Sequence, residues 1–203
     1  KALLSAYSPT TLSEVATKPS LDAQYLWHRR DWAALDVAAA SQGPGGPSSV
    51  RPLMMRAAAA AHLGRLAEAR TLLAGTPLDH EGYVETRAVI ETLAGDRARA
   101  EYWFGEAIRL APRRAQTHVA LGEARIAFGD LPAALRAFKE AARLQPRSPD
   151  ALFGWGKALL AVGKAEAAAA KFAEAAALAP RWGEDRLYWA EALKRVGNTT
   201  GAR

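Results

Sequence analysis

The side chains that could do chemistry in this 203-residue chain are four His, 21 Asp and Glu, and 27 Lys and Arg. There is no Cys, which excludes a thiol nucleophile, a thiolate zinc site and a disulfide framework. His80 stands between Asp79 and Glu81. Three consecutive side chains cannot all turn to one ion on regular structure, so this reads as a solvated connection between helices. His28-Arg-Arg-Asp31 has the outline of a phosphoryl-transfer loop whose Asp accepts a hydroxyl proton, but neither the following Asn nor a nucleotide loop is present. The better reading of Asp31 is a helix N-cap. Residues 43–49, Gly-Pro-Gly-Gly-Pro-Ser-Ser, lack the Gly-Lys-Ser/Thr ending of a phosphate loop and read as a linker. His62 falls near the end of a predicted helix, where it is a secondary candidate for ligand contact. The expectation is no catalytic constellation, no metal and no cofactor.

The elements that carry these residues are helices. Ala, the best helix former, accounts for 48 residues, while 11 Pro and 16 Gly mark where helices stop. The formal net charge of +6 is dispersed, with no run of five like charges. That is a solvated helical surface rather than a nucleic-acid stripe. No charge-free apolar stretch reaches the roughly 18 residues of a membrane span.

A period of 34 residues organises the second half. Pro112, Pro146 and Pro180 share it, as do Gly95, Gly129, Gly163 and Gly197. So do Ala100, Ala134, Ala168 and Ala202, then Phe104, Phe138 and Phe172, then Ala107, Ala141 and Ala175, and finally Leu110, Leu144 and Leu178. Ala, Phe and Ala at spacings of four and three lie on one helix face, where small residues admit a neighbouring helix and the Phe fills the space beside them. Gly followed by Asp96 or Asp130 predicts a turn with a left-handed Gly and an N-cap for the next helix.

This pattern resembles the tetratricopeptide repeat, a 34-residue helix–turn–helix unit. In that register units begin at Glu81, Ala115, Pro149 and Gly183, the last truncated at Arg203. Trp155-Gly156, Leu121-Gly122 and Trp189-Ala190 match the large-then-small pair of the first helix, whereas Arg87-Ala88 departs at the large position. A weaker copy spans about residues 50–80, with its second helix shortened near Gly75 and Pro77, and a fainter helix pair covers about 21–41. The expected organisation is therefore an N-terminal helical segment over 1–42 with a possible degenerate repeat, a linker over 43–49 and an array over 50–203. A further short helix is expected near 10–17. The resemblance implies an all-α, right-handed superhelical solenoid of antiparallel helix pairs. It also places His118 at a usually packed position. Arg136 with Glu140 and Lys171 with Glu174 are expected surface ion pairs.

The resemblance further implies that the first helices line a concave surface through positions 2, 5, 9, 12 and 13 of each unit. The candidate lining is Glu85, Val89, Val119, Glu123, Ile126, Phe153, Lys157, Leu160, Leu187 and Glu191. Val119, Ile126, Phe153 and Leu160 are expected to form an apolar ridge flanked by Glu85, Glu123 and Glu191, with Phe153 as the anchor for a partner. The Lys, Asn and Arg set with which some members of the family clamp a peptide carboxylate is absent. The implied function is a non-catalytic scaffold that binds a protein or peptide, apolar and carrying basic residues, with no nucleic acid and no membrane span. The alternatives are a recognition module of a larger enzyme, or a subunit that self-assembles into homo-oligomers through its terminal helices. The start at Lys1 leads to the expectation of a processed protein or an excised fragment, and the truncated last unit to that of a natural chain continuing beyond Arg203. Composition suggests a bacterial source, and a Cys-free chain is compatible with cytoplasm or periplasm alike.

Overall fold

The structure, a computed structural model, describes residues 26, 30–40, 50–179 and 183–197, with the side chains of 50, 51 and 183–186 excepted. The linker at 43–49, the helix expected near 10–17 and the final residues after 197 lie outside the described residues. Among the described residues every regular element is an α-helix. The chain divides into two compact units, Lys1–Thr76 and Pro77–Arg203.

The first unit holds α1 (Trp32–Ala40), α2 (Val50–His62) and α3 (Leu66–Leu73). Asp31 caps α1, accepting from the Ala34 N–H at 3.2 Å. Leu35 of α1 is buried against Ala59 of α2, with Leu26, Trp32 and Met55 around them. The run Ala57–Ala61 is buried throughout, so small side chains let α2 sit close to its neighbours. Asp36 ties the three helices together by pairing with Arg65 at 2.6 Å and Arg56 at 3.5 Å.

The second unit alternates first helices of 13 residues with second helices of 14. The first helices are α4 (Glu81–Leu93), α6 (Ala115–Ala127), α8 (Pro149–Ala161) and α10 (Gly183–Arg195). The second helices are α5 (Arg97–Leu110), α7 (Leu131–Leu144) and α9 (Ala165–Leu178). All four first helices start at the residues the 34-step period assigns. The turns explain why. Gly95, Gly129 and Gly163 have φ of +77°, +76° and +79°. In each turn the Gly N–H and the next N–H return to the last turn of the first helix: Gly95 to Thr92 O, Asp96 to Glu91 O, Gly129 to Ile126 O, Asp130 to Arg125 O. This is the Schellman closure. Asp96 and Asp130 then cap the following helix, accepting from Arg99 N at 3.0 Å and Ala133 N at 3.1 Å. One residue thus ends one helix and starts the next.

The core is a row of Phe side chains. Phe104, Phe138 and Phe172, one on each second helix, are essentially inaccessible to solvent. Phe138 sits against Gly122 of its own unit's first helix and Gly154 of the next, and a Cβ on Gly122 would stand 2.7 Å from the ring. A Cβ on Gly154 would overlap the same ring. Phe172 lies as close to Gly156, and Phe104 packs with Ala88, Ala120, Leu121 and Ala124. Phe104 and Phe138 therefore fill sockets made by a small residue at position 8 of their own unit and position 6 of the next, whereas Phe172 has the small residue only at position 8, Gly156, and meets the Tyr188 ring at position 6 of the next unit.

Two substitutions test this packing. Phe138→Ala should destabilise the chain by about 3–5 kcal/mol, because the ring is fully enclosed. Gly154→Ala gains about 1 kcal/mol of helix propensity but drives a methyl into Phe138, an overpacking cost of about 1–3 kcal/mol. A net loss of stability in urea unfolding is expected, and a stabilised Gly154→Ala variant would contradict the socket.

Candidate functional site

In the second unit the first helices α4, α6, α8 and α10 are successive neighbours, and their solvent-facing side chains form one face. Positions 5, 9 and 12 of each helix lie at spacings of four and three on that face. Its charges are bound across the helices. The Thr117 hydroxyl of α6 donates to Glu85 of α4 at 2.6 Å. Arg114, just before α6, donates to Glu81 at 3.1 Å and pairs with Glu85 at 3.3 Å. Lys157 of α8 stands 3.7 Å from Glu123 of α6. Arg195 of α10 holds Glu191 at 2.8 Å and reaches the Leu160 carbonyl of α8. These contacts span about one repeat, apart from the local pair Glu191–Arg195. The flanking carboxylates expected to meet a partner are therefore engaged within the chain, with Glu123 the most exposed of them.

The apolar ridge also differs from expectation. Val119, Phe153 and Leu160 are buried, with Phe153 only 7% exposed, and Val89 and Ile126 are half-buried. Phe153 cannot act as an open anchor, because its ring packs edge-on to Tyr188 at 5.3 Å and tilts against Phe172 at 5.5 Å. Lys157 lies over both rings, 5.6 Å from Phe153 and 5.8 Å from Tyr188. Tyr188 occupies position 6 of its unit, where Ala120 and Gly154 stand earlier. Too large for the socket, it leans onto Phe153 and remains 40% exposed. The sequence signal for this residue was the break in the small-residue column. The apolar surface that is open lies one helix further on, at Leu187, 73% exposed.

The other candidates have structural roles. His80 caps α4, its Nδ1 accepting from Gly82 N at 3.2 Å. His118 is half-buried in α6. Arg87, at the position where the repeat has a large residue, lies 5.5 Å over the Trp103 ring. Lys171 pairs with Glu174 as expected, whereas Glu140 pairs with Arg143 at 2.7 Å in place of Arg136. Among the described residues no group of three or more His, Asp or Glu is placed to hold a metal, and no helix is long and apolar enough to cross a membrane.

The fold is shared with solved structures. A thermophilic TPR protein of Thermus thermophilus, TTC0263, superposes with a TM-score of 0.67 at 23% identity, over 87% of this chain and 97% of that one. The chain has the tetratricopeptide-repeat fold. Two other structures agree with the TPR assignment of the fold. PilF of Pseudomonas aeruginosa matches with a TM-score of 0.65 at 17% identity, over 74% of this chain and 70% of that one. MamA AMB-1 matches at 0.57 and 19% identity, over 74% and 90%. No family model matches the sequence, and no curated protein matches it.

In the first unit His62 is stacked flat on Trp32, ring centroids 3.9 Å apart and planes within 3°. Partial desolvation against the Trp32 ring, and secondarily the charge of Arg30, pulls its pKa down to about 4 from 6.5, although the residue keeps an exposed edge. The unfolded chain then binds the proton more readily than the folded one between those values. Stability from this contact is complete above pH 6.5 and is lost as pH falls through 4. Thermal melts from about pH 7.5 to about 4 should show a decline that His62→Gln flattens, and equal pH dependence in both proteins would contradict the assignment.

Proposed function

We propose that the chain is a non-catalytic scaffold that holds a protein or peptide on the face formed by α4, α6, α8 and α10. The observation that carries this reading is the exposed apolar pair Leu187 and Tyr188 on that face, 73% and 40% exposed, beside a core that is otherwise closed. A side chain as apolar as Leu187 gains about 25 cal/mol for each Å² removed from water, before binding costs are subtracted. The fold supports the reading, because stacked helix pairs present extended surfaces that neighbouring units hold rigid. Glu123 supplies the polar end of the site. Its carboxylate keeps 48% of its side chain exposed, and Lys157 at 3.7 Å lies beyond hydrogen-bonding distance. A basic group from a partner can bind there. The ligand class is thus an apolar segment that carries Lys or Arg, such as an amphipathic helix.

Affinity capture from extracts of the source cells tests this. Leu187→Asp should remove the captured partner, and Glu123→Lys should weaken capture by roughly tenfold, as expected for a contact worth about 1.4 kcal/mol. Both side chains are exposed, so the helical melt should stay unchanged. Parent and variants that capture the same proteins in the same amounts would overturn the reading.

A further inference from the structure

We infer that the outer face of α7 is a second docking surface, and that its occupant is a helix of a partner protein with carboxylates one turn apart. This surface is separate from the face of the first helices and does not rest on the reading given for it. The residues of α7 divide cleanly. Ala133, Ala134, Ala137, Phe138 and Ala141 are buried. Arg136, Lys139 and Arg143 follow at spacings of three and four and share the opposite face. All three are exposed, and Arg147 adds a further exposed cation in the connection to α8. The one acid of the helix is Glu140. It accepts two hydrogen bonds from Arg143, at 2.8 and 2.7 Å. Arg136, four residues from the same carboxylate, is left without an acid.

The neighbouring second helices treat their charges differently. Every basic residue of α5 meets an acid: Arg97 meets Glu101 at 3.1 Å, Arg109 meets Glu106 at 2.8 Å, and Arg99 lies 3.8 Å from Glu91. The one basic residue of α9, Lys171, meets Glu174 at 2.9 Å. In α7 neither Arg136 nor Lys139 has an ion pair among the described residues. The helix dipole accounts for Arg143 in the last turn, but not for two cations in the middle of the helix. Lys139 also stands three residues from Arg136 and four from Arg143, spacings at which like charges destabilise a helix. The stripe is therefore kept against its own repulsion, which a partner's carboxylates would relieve.

The footprint selects the class of partner. The surplus charge is confined to one helix, because α5 carries Glu101 and Glu106 and α9 carries Glu166 and Glu174. A bilayer or a nucleic acid spreads negative charge over a wider area and would meet those carboxylates as well as Glu140. No large apolar side chain of α7 is exposed, so the helix has nothing to insert into a bilayer. Arg136 and Arg143 are two turns apart, roughly 10 Å. A partner helix with Glu or Asp at successive spacings of three and four repeats that interval, and it can leave a neutral residue opposite Glu140.

The probe is a fluorescent, Ala-rich peptide of about 20 residues, long enough to be helical, with Glu at these spacings along one face. A second peptide has the same composition with its Glu scattered around the helix. Anisotropy with the full chain should show binding of the first peptide and weaker binding of the second. Affinity for the first should fall as salt rises from about 0.02 to about 0.2 M, because exposed charges are screened. Arg136→Glu with Lys139→Glu should weaken binding by roughly tenfold or more with an unchanged helical melt. The same variant should gain binding of a peptide in which Lys replaces each Glu, a gain that an unfolded chain would not show. Leu187→Asp, on the first-helix face, should bind the acidic peptide as the parent does. Phosphatidylcholine vesicles with about one-third phosphatidylserine, and a short DNA duplex, are the competing anions. No binding of the first peptide, equal binding of both peptides, or tighter binding of the vesicles or the duplex overturns the inference.

Discussion

The second unit depends on one contact, the ring of Phe138 held between Gly122 and Gly154. The two glycines belong to successive first helices, and the missing Cβ atoms define the space the ring occupies. A single side chain therefore fixes both the pairing of α7 with α6 and the approach of α8. Repetition of the contact by Phe104 and Phe172 converts a local fit into an array, since each second helix is the spacer between two first helices. In this sense the 34-residue period is a record of where a ring must meet a small residue, Ala for Phe104 and Gly for Phe138 and Phe172. The turns have the complementary task of delivering each helix to its socket at the correct rotation, through a left-handed Gly followed by an Asp that ends one helix and caps the next.

The parts of the fold that depend on neighbours along one helix were legible in the sequence. Ala, Phe and Ala at spacings of four and three, and Gly-Asp at the turn, state their own physical requirement, so helix starts at Glu81, Ala115, Pro149 and Gly183 could be assigned from the residues. The candidate site was less legible, because exposure there is decided by residues one repeat away. Phe153 looks open when α8 is considered alone and is covered by Tyr188 of the following unit. Glu85 looks like a free carboxylate and is engaged by Arg114, in the connection after α5, and by Thr117 of the following unit. The clue to the first was the bulky residue at a position that is small in the preceding units. No comparable clue marked the second, since Arg114 lies in a connection whose path a periodic pattern does not determine.

The face of the first helices shows how such an array separates stability from recognition. Ion pairs that bridge successive helices neutralise most of its charges, and the ridge beneath is closed by the chain itself. Among the described residues, the large apolar side chains left exposed on the face are Leu93 of α4 and Leu187 and Tyr188 of α10, where the Tyr at position 6 is too large for a socket. At α10 departure from the repeat and exposure of apolar surface thus occur at the same place.

One turn lacks the Asp of the other two. Lys164 precedes α9 and provides no side-chain cap, which leaves a positive charge at the positive end of the helix. Nine of the fourteen residues of α9 are Ala, and Ala loses no side-chain entropy on becoming helical. Beyond the burial of Phe172, this helix relies on the intrinsic preference of its backbone, where α5 and α7 also have side-chain caps. In a newly made or denatured chain α9 is accordingly the segment richest in fleeting helix, since favourable propagation offsets the cost of the first turn. Contacts in a stack of this kind are made between nearest neighbours, so ordered structure can spread from α9 through Phe172 to α8 and then towards α4.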